Sequence, residues 1–450
     1  MKTGLRSGKS RTIDIGSSID FHSGIHSSLL SDPPPGTRYR VSLPEHVFVP
    51  AELGRASRQQ SFRPTRDFAV AEAIDPGPGR AIFHSARWPV LNRRSWVVDF
   101  DDFGYPVMWG RSAIDPRQRR RFARGRPELV QRTMLERSAR MLAAYTHPSC
   151  KAILFLTEQG VAEAYQWLRA VAGAGVRRAF LERCHVAPAA HRALDGNEVR
   201  RKWREDPTTV VFCGRDYYQK NGRLALDVMT SMASRFPEAR FHYVGATPDS
   251  SLARGFGALP NATLHGPLPR AKALAVIAAS HVLIHPARYE SFGMVYAEAM
   301  AAGLAIISSA GPQMEHVDEL IGSAGALFVR RSGDFGRDRA GFSGKLQQLL
   351  EHRNDATAMG AANYRCATSG TLSLRRRNSL LEKIYQRAED EPAEPLSIEA
   401  LVRDSTGFVR LSAHEVVEDF QQFRRSSPRA PMSVLLTPPA TIARLRAGAR

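Results

Sequence analysis

The chain has 450 residues, 43% hydrophobic and 24% charged, a globular balance that excludes wholesale disorder, collagen and coiled coil and exceeds what one core organises. Its 63 Lys and Arg against 44 Asp and Glu leave a formal charge of +19, which calls for anionic partners such as nucleotide, phospholipid or nucleic acid. Of the cations 8 are Lys and 55 are Arg, an excess that phosphate recognition by the planar Arg fork and codon bias explain equally.

In chain order, residues 1–78 are weakly patterned, broken at Asp32-Pro33-Pro34-Pro35-Gly36, and only His46-Val47-Phe48-Val49 reads as a strand. From Ala81 strand and helix alternate: Ala81 to His84, Ser95 to Asp99, a helical stretch around Pro127 to Tyr145, a strand from Ala152 to Leu156, then a helix from Val161 to Val171. Such alternation predicts parallel strands with crossover helices. A linker is expected between Ala193 and Pro207. Beyond it the short apolar runs Val210 to Phe212, Phe241 to Val244, Val282 to Ile284 and Leu304 to Ile307 predict a second doubly wound sheet. Gly255-Phe256-Gly257 reads as loop, and the acidic, Pro-containing stretch from Ala388 to Pro395 as a second linker before a tail ordered at most over Leu396 to Phe423.

Cys150, Cys184, Cys213 and Cys366 lie far apart without a Cys-x-x-Cys pair, so neither a zinc site nor a disulfide framework is expected. No run approaches the roughly 20 apolar residues of a membrane span, and the start Met1-Lys2-Thr3-Gly4-Leu5-Arg6 leads into polar sequence. The expectation is a cytoplasmic protein, with a peripheral position at the inner face of the membrane as a variant of it.

Chemistry concentrates in Pro286 to Gly303, which follows a predicted strand at the edge where open α/β sheets bind ligands. Glu290 and Glu298 are separated by seven residues, with Gly293 at the turn into a helix over Val295 to Ala302. Glu290 then lies in the loop, Glu298 on the first turns, and the N-H groups of Phe292 to Met294 point at an anion. Carboxylates accept hydroxyl donors, so an anion with two sets of hydroxyls fits a nucleotide sugar. A second segment, Phe212-Cys213-Gly214-Arg215-Asp216-Tyr217-Tyr218-Gln219-Lys220-Asn221-Gly222, brings Arg215 and Lys220 to the same region, where two cations would stabilise a departing diphosphate.

Gly214-Arg215 with Lys220, Tyr243-Val244-Gly245, Leu264-His265-Gly266-Pro267, Glu290 to Glu298 and Gly303 to Ser308 together resemble the ordered motifs of the retaining GT-B glycosyltransferases, family 4, over residues 207 to about 387. The resemblance implies an α/β fold of two Rossmann-like doubly wound domains facing an interdomain cleft. It divides the chain into a poorly patterned segment 1–78, an acceptor-side domain 79–200 that takes in part of it, a nucleotide-sugar-binding domain 201–388, and a linker with carboxy-terminal extension 389–450.

Carried residue by residue, the resemblance implies that Arg215 and Lys220 hold the donor diphosphate, Glu290 the sugar hydroxyls and Glu298 the ribose. Gly214, Ser291, Phe292 and Gly293 would contact sugar and phosphates through the backbone. Gly311-Pro312 departs from the family's paired Gly and removes one N-H donor. On the acceptor side, Asp101 stands where the family carries His; it either accepts a hydrogen bond from sugar or acceptor or belongs to a solvated acidic turn. His84 is a second acceptor-side candidate, against a packed or capping role.

The implied reaction is transfer of a sugar from a nucleoside diphosphate sugar to a saccharide or lipid-linked acceptor hydroxyl with retention, with no cofactor and no metal. Residues 1–200 hold 31 cations against 19 anions, the remainder 32 against 25, and Arg117 to Arg126 form the densest run. That run suits an anionic membrane surface or is a solvated loop; with only Phe122 interleaved it is poor for nucleic acid. The alternatives are a basic membrane- or nucleic-acid-binding relative without catalysis, and a nucleotide-sugar epimerase on the same fold.

Overall fold

The structure is a computed structural model that describes residues 10–17, 21–22, 24–42, 73–100, 139–205, 207–311, 314–397 and 400. The chain divides into two compact units, one of residues 1–22, 29–187 and 378–450, the other of residues 23–28 and 188–377.

Unit 1 is built on six parallel strands: β1 (Arg11–Gly16), β2 (Thr37–Ser42), β3 (Phe83–Ala86), β4 (Trp96–Phe100), β5 (Cys150–Phe155) and β6 (Cys184–Val186), in the order β2-β1-β3-β4-β5-β6. Helix α1 (Ile25–Ser31), whose residues 25–28 belong to the other unit, falls between β1 and β2 in the chain, and α2 (Glu158–Val171) and α3 (Ala174–Leu181) join β5 to β6. The core packs Phe83, Trp88, Trp96, Phe100, Tyr145, Phe155 and Phe180. Full burial of each such ring contributes roughly 1.5–3 kcal/mol.

Two of these strands lie where the sequence pattern predicts none. β1 and β2 carry charge in their middles: Asp14 is fully buried and bridges Arg40 (2.5 Å) and the buried Arg93 (3.1 Å). Ion pairs across the sheet thus stand in for the apolar alternation that marks a strand. The expected strand at His46 to Val49 lies outside the described residues, as do residues 127–138 of the expected helix; residues 139–146 are helical.

Unit 2 has β7 (Thr209–Cys213), β8 (Arg240–Val244), β9 (Ala262–Gly266), β10 (Val282–His285), β11 (Ala305–Ala310) and β12 (Ala326–Arg330), all parallel, in the order β12-β11-β10-β7-β8-β9. Its helices are α4 (Gly196–Arg204), α5 (Gly222–Arg235), α6 (Ser250–Gly257), α7 (Arg270–Ala278), α8 (Met294–Ala301), α9 (Glu315–Ile321), α10 (Phe335–Glu351) and α11 (Arg353–Thr368). The central strands are covered on both faces, so Val210, Val211 and Phe212 are all fully buried and read as a continuous apolar run. β7 and β10 are neighbours, while the chain runs outward from β7 through β8 and β9 and from β10 through β11 and β12. That reversal is the topological switch point at which such sheets bind ligands.

Three expectations are corrected here. The stretch from Ala193 to Pro207 is no linker: Asp195 caps α4 and Glu198 completes a capping box, while Val199 and Trp203, one turn apart, are buried. Arg200, Arg201 and Arg204 are exposed on the other face, and Trp203 Nε1 donates to Gly303 O at 2.9 Å. Gly255-Phe256-Gly257 ends α6 rather than forming a loop, because Asp249 caps the helix and Phe256 is buried. The acidic stretch after Ala388 is ordered too: α12 (Leu374–Asp390) runs through its start. Ala393 N then donates to Arg94 O, Asn92 N donates to Leu396 O, and Leu396 packs into the core of unit 1.

No described helix is long and apolar enough to cross a membrane.

Candidate functional site

The site of unit 2 grows from the loops that leave β7 and β10. After β7, the Asp216 carboxylate accepts from the N-H groups of Tyr218 (3.0 Å) and Gln219 (2.8 Å), an Asx turn that folds the loop back on itself. Lys220 N donates to Asp216 O, and Gly222 N donates to Tyr217 O. Gln219 O in turn accepts from Arg288 N at 2.8 Å, which stitches this loop to the one after β10. Gly214 N donates to Val244 O and Gly245 N to Gly266 O, so three strand ends are tied together. Gly245 has φ +148°, and a side chain there would collide with Gly214 O.

Lys220 and Glu290 meet at this junction. Lys220 Nζ lies 2.8 Å from Glu290 Oε1, and His285 Nε2, at the end of β10, donates to the same oxygen at 2.7 Å. His285 is itself fixed by stacking on Phe212 and by the edge of Tyr296. Burial raises the Glu290 carboxyl, but the Lys220 charge and the hydrogen bonds from His285 and Lys220 outweigh it and hold the group at about 2. Glu290 is therefore an ionised, oriented acceptor at neutral pH, 7% exposed.

The chain then turns at Gly293, whose φ of +81° starts α8; a side chain would strike the Tyr296 ring. The Gly293 cap makes no side-chain hydrogen bond, leaving the first N-H groups of α8 without that partner. Phe292 is buried in the core and Ser291 is half-buried. Glu298 follows on α8, 8% exposed, with Oε1 at 2.6 Å from Nη1 of Arg270 on α7. Cys213, at the end of β7, is pushed up to about 12 by burial and by the charge of Glu298, against Arg270 and Arg215. Those charges place it between the two loops as a neutral thiol.

The structure thus brings together Gly214, Lys220, Glu290, Ser291, Phe292, Gly293 and, on the same helix, Glu298. Arg215 does not join Lys220 as a paired clamp: it is exposed and, among the described residues, makes no ion pair, whereas Lys220 is engaged by Glu290. The family-type departure at Gly311-Pro312 is half visible, since Pro312 lies outside the described residues. Asp101 lies outside them as well.

His84 lies inside unit 1. It is fully buried in β3, with Nδ1 2.6 Å from Tyr385 Oη and Nε2 3.1 Å from Asp99 Oδ2. With both nitrogens engaged inside unit 1, it has none left for an acceptor, and the geometry supports the packed role for this residue. Three further residues of the site carry no mark in the sequence pattern. Arg270 and His285 gave no signal, because their partners are distant in sequence or sit beyond a turn. His316 on α9 is buried, which lowers its pKa, while the Glu290 charge raises it; nothing in its sequence context marks that proximity.

The family model described as Glycosyl transferases group 1 matches residues 207–352. The matched segment is about a third of the chain. Lys220, Arg270, Glu290 and Glu298 all belong to the segment. A stretch of 184 residues is 27% identical to the phosphatidylinositol N-acetylglucosaminyltransferase gpi3 subunit of Schizosaccharomyces pombe, covering 40% of this chain and 39% of that protein. The match therefore spans about two-fifths of the curated relative. Sucrose-phosphate synthase from Thermosynechococcus elongatus superimposes with a TM-score of 0.53 at 14% identity, over 84% of this chain and 98% of its own. Anabaena Alr3699/HepE, solved in complex with UDP, gives 0.51 at 11% identity, over 84% and 99%. At these identities the likeness is one of fold: two parallel, Rossmann-like doubly wound units of the GT-B class.

Proposed function

We propose that unit 2 binds a nucleoside diphosphate sugar and that the protein transfers the sugar to an acceptor hydroxyl with retention of anomeric configuration. The observation that carries this reading is the meeting of Lys220 with an ionised Glu290, 2.8 Å apart, at the switch point between β7 and β10. A fixed carboxylate there accepts sugar hydroxyls, and a fixed cation there stabilises charge on a leaving diphosphate. The group 1 match over residues 207–352 and the UDP complex of the Anabaena relative support the donor class.

On this reading Lys220 shares its charge between Glu290 and the diphosphate, and Arg215 adds a second cation from its exposed loop. The uncapped N-H groups opening α8 meet phosphate and sugar, and Glu298 accepts the ribose hydroxyls. The bond from the anomeric carbon to the phosphate oxygen breaks as the acceptor oxygen attacks from the same face, and the acceptor proton passes to the departing phosphate. No protein nucleophile is needed. The cation excess of residues 1–200 and the name of the Schizosaccharomyces relative favour a lipid-linked acceptor at an anionic surface over a free saccharide.

The test is a thermal-shift screen with nucleoside diphosphates and their sugars, in which a ligand at 100 times its dissociation constant stabilises by about 2.7 kcal/mol. Absence of a shift with every donor would overturn the donor assignment. Product anomeric configuration, read by NMR on the new linkage, decides retention. Sedimentation with anionic vesicles at low and high salt decides the acceptor surface.

A further inference from the structure

We propose that Arg270 is a positioning residue for ribose recognition: it fixes Glu298 so that the carboxylate oxygen it leaves open meets the ribose hydroxyls. This rests on the donor reading above.

Arg270 occupies the first position of α7, behind Pro269, which gives no side-chain cap, and the first turn holds no acidic residue. A cation at the positive end of a helix is unfavourable, so helix α7 itself has no use for this side chain. Its two ends are instead both engaged: Nη1 lies 2.6 Å from Glu298 Oε1, and Nη2 donates to His191 Nε2 at 3.2 Å. Both members of the ion pair are largely withdrawn from solvent, with side chains 18% and 7% exposed. A planar guanidinium held at two points fixes the orientation of what it binds.

Only one oxygen of Glu298 is taken. Oε2 has no hydrogen bond or ion pair among the described residues, although the residue is 8% exposed. A carboxylate with one oxygen held and the other open is arranged to accept hydroxyl donors from a ligand. Without Arg270 the same carboxylate would be buried without the partner that orients it, beside the thiol of Cys213, and would be free to turn. The consequence is selectivity for ribonucleotides over nucleotides that lack ribose hydroxyls, created jointly by Arg270 and Glu298.

The experiment measures dissociation constants by calorimetry for the full chain and its variants. UDP, GDP and ADP are tried, and the tightest is carried forward with its 2′,3′-dideoxy analogue. Arg270→Gln is expected to weaken the ribonucleotide about tenfold, as for a lost hydrogen bond to a charged group, and to change the dideoxy analogue less than about twofold. Glu298→Gln should show the same selectivity, and the double variant should bind no more weakly than either single one. Arg270→Lys, which keeps the charge and loses the fork, should show a smaller selective loss and serves if Arg270→Gln does not fold.

Equal losses for both nucleotides in the Arg270 variants, with selective loss in Glu298→Gln, would overturn the positioning role and leave the donor reading standing. Equal losses in Glu298→Gln would remove Glu298 from the ribose and the inference with it. No binding of any of the three diphosphates would defeat the donor reading itself.

Discussion

Glu290→Gln isolates the electrostatics of the site. The wild-type carboxyl is held at about 2 against burial, by Lys220 and His285, from an ordinary value of 4.5. Every tenfold change in proton affinity corresponds to about 1.4 kcal/mol, so the ionised carboxylate contributes on the order of 3 kcal/mol to unit 2. The native value is depressed, so the native state binds fewer protons than the unfolded one between the two values. The contribution is complete above pH 4.5 and is lost as pH falls toward 2. It should stand at about 3 kcal/mol at pH 7 and about 1.5 kcal/mol at pH 3. The carboxamide cannot ionise, although its oxygen can still accept from His285 and Lys220. The stability difference between wild type and variant should therefore narrow by about half across that range. Urea unfolding, followed by hydrogen exchange of peptides from β10 and α8, reads it locally. A difference that is the same at pH 7 and pH 3 would refute the argument that an ionised Glu290 anchors the two loops.

Lys202 gives a pH dependence of the same sign in a higher range. It is buried, donates to Ala302 O (2.7 Å) and Ala278 O (3.2 Å), and burial lowers it to about 7. Its folded value lies below its unfolded one, so stability relative to Lys202→Met should rise between pH 7 and pH 10 in urea titrations. Gly293→Ala puts a side chain into the Tyr296 ring at a positive φ; it should cost about 1–3 kcal/mol in chemical denaturation and weaken nucleoside diphosphate binding. Asp195→Ala removes the capping box of α4 and should cost about 1 kcal/mol by the same measurement, without changing nucleotide affinity. A chain ending at residue 395 lacks the buried Leu396; it should melt earlier than one ending at residue 400, by the roughly 2 kcal/mol of a buried Leu.

Much of unit 2 is legible in the sequence because its central strands are buried on both faces. Val210 to Phe212 and Val282 to Ile284 can be little else than interior strands, and the loops that follow them carry Lys220, Glu290, Gly293 and Glu298 in recognisable order. The capping box of Asp195 and Glu198 was equally available, and the density of charge in α4 hid it. β1 and β2 were not legible, since Asp14 is tolerable inside a sheet only once Arg40 from β2 and Arg93 from the segment before β4 reach it. The same holds at the site. The sequence determines which groups are present after each strand, because strand, turn and helix are local. Tertiary structure alone decides that Lys220 and His285 share one oxygen of Glu290, that Arg270 holds Glu298, and that His84 is enclosed by Asp99 and Tyr385. Apart from His285 and Glu290, which lie five residues apart across a turn, those are distances between groups on different elements, and they exist only when the sheet has brought the strand ends together.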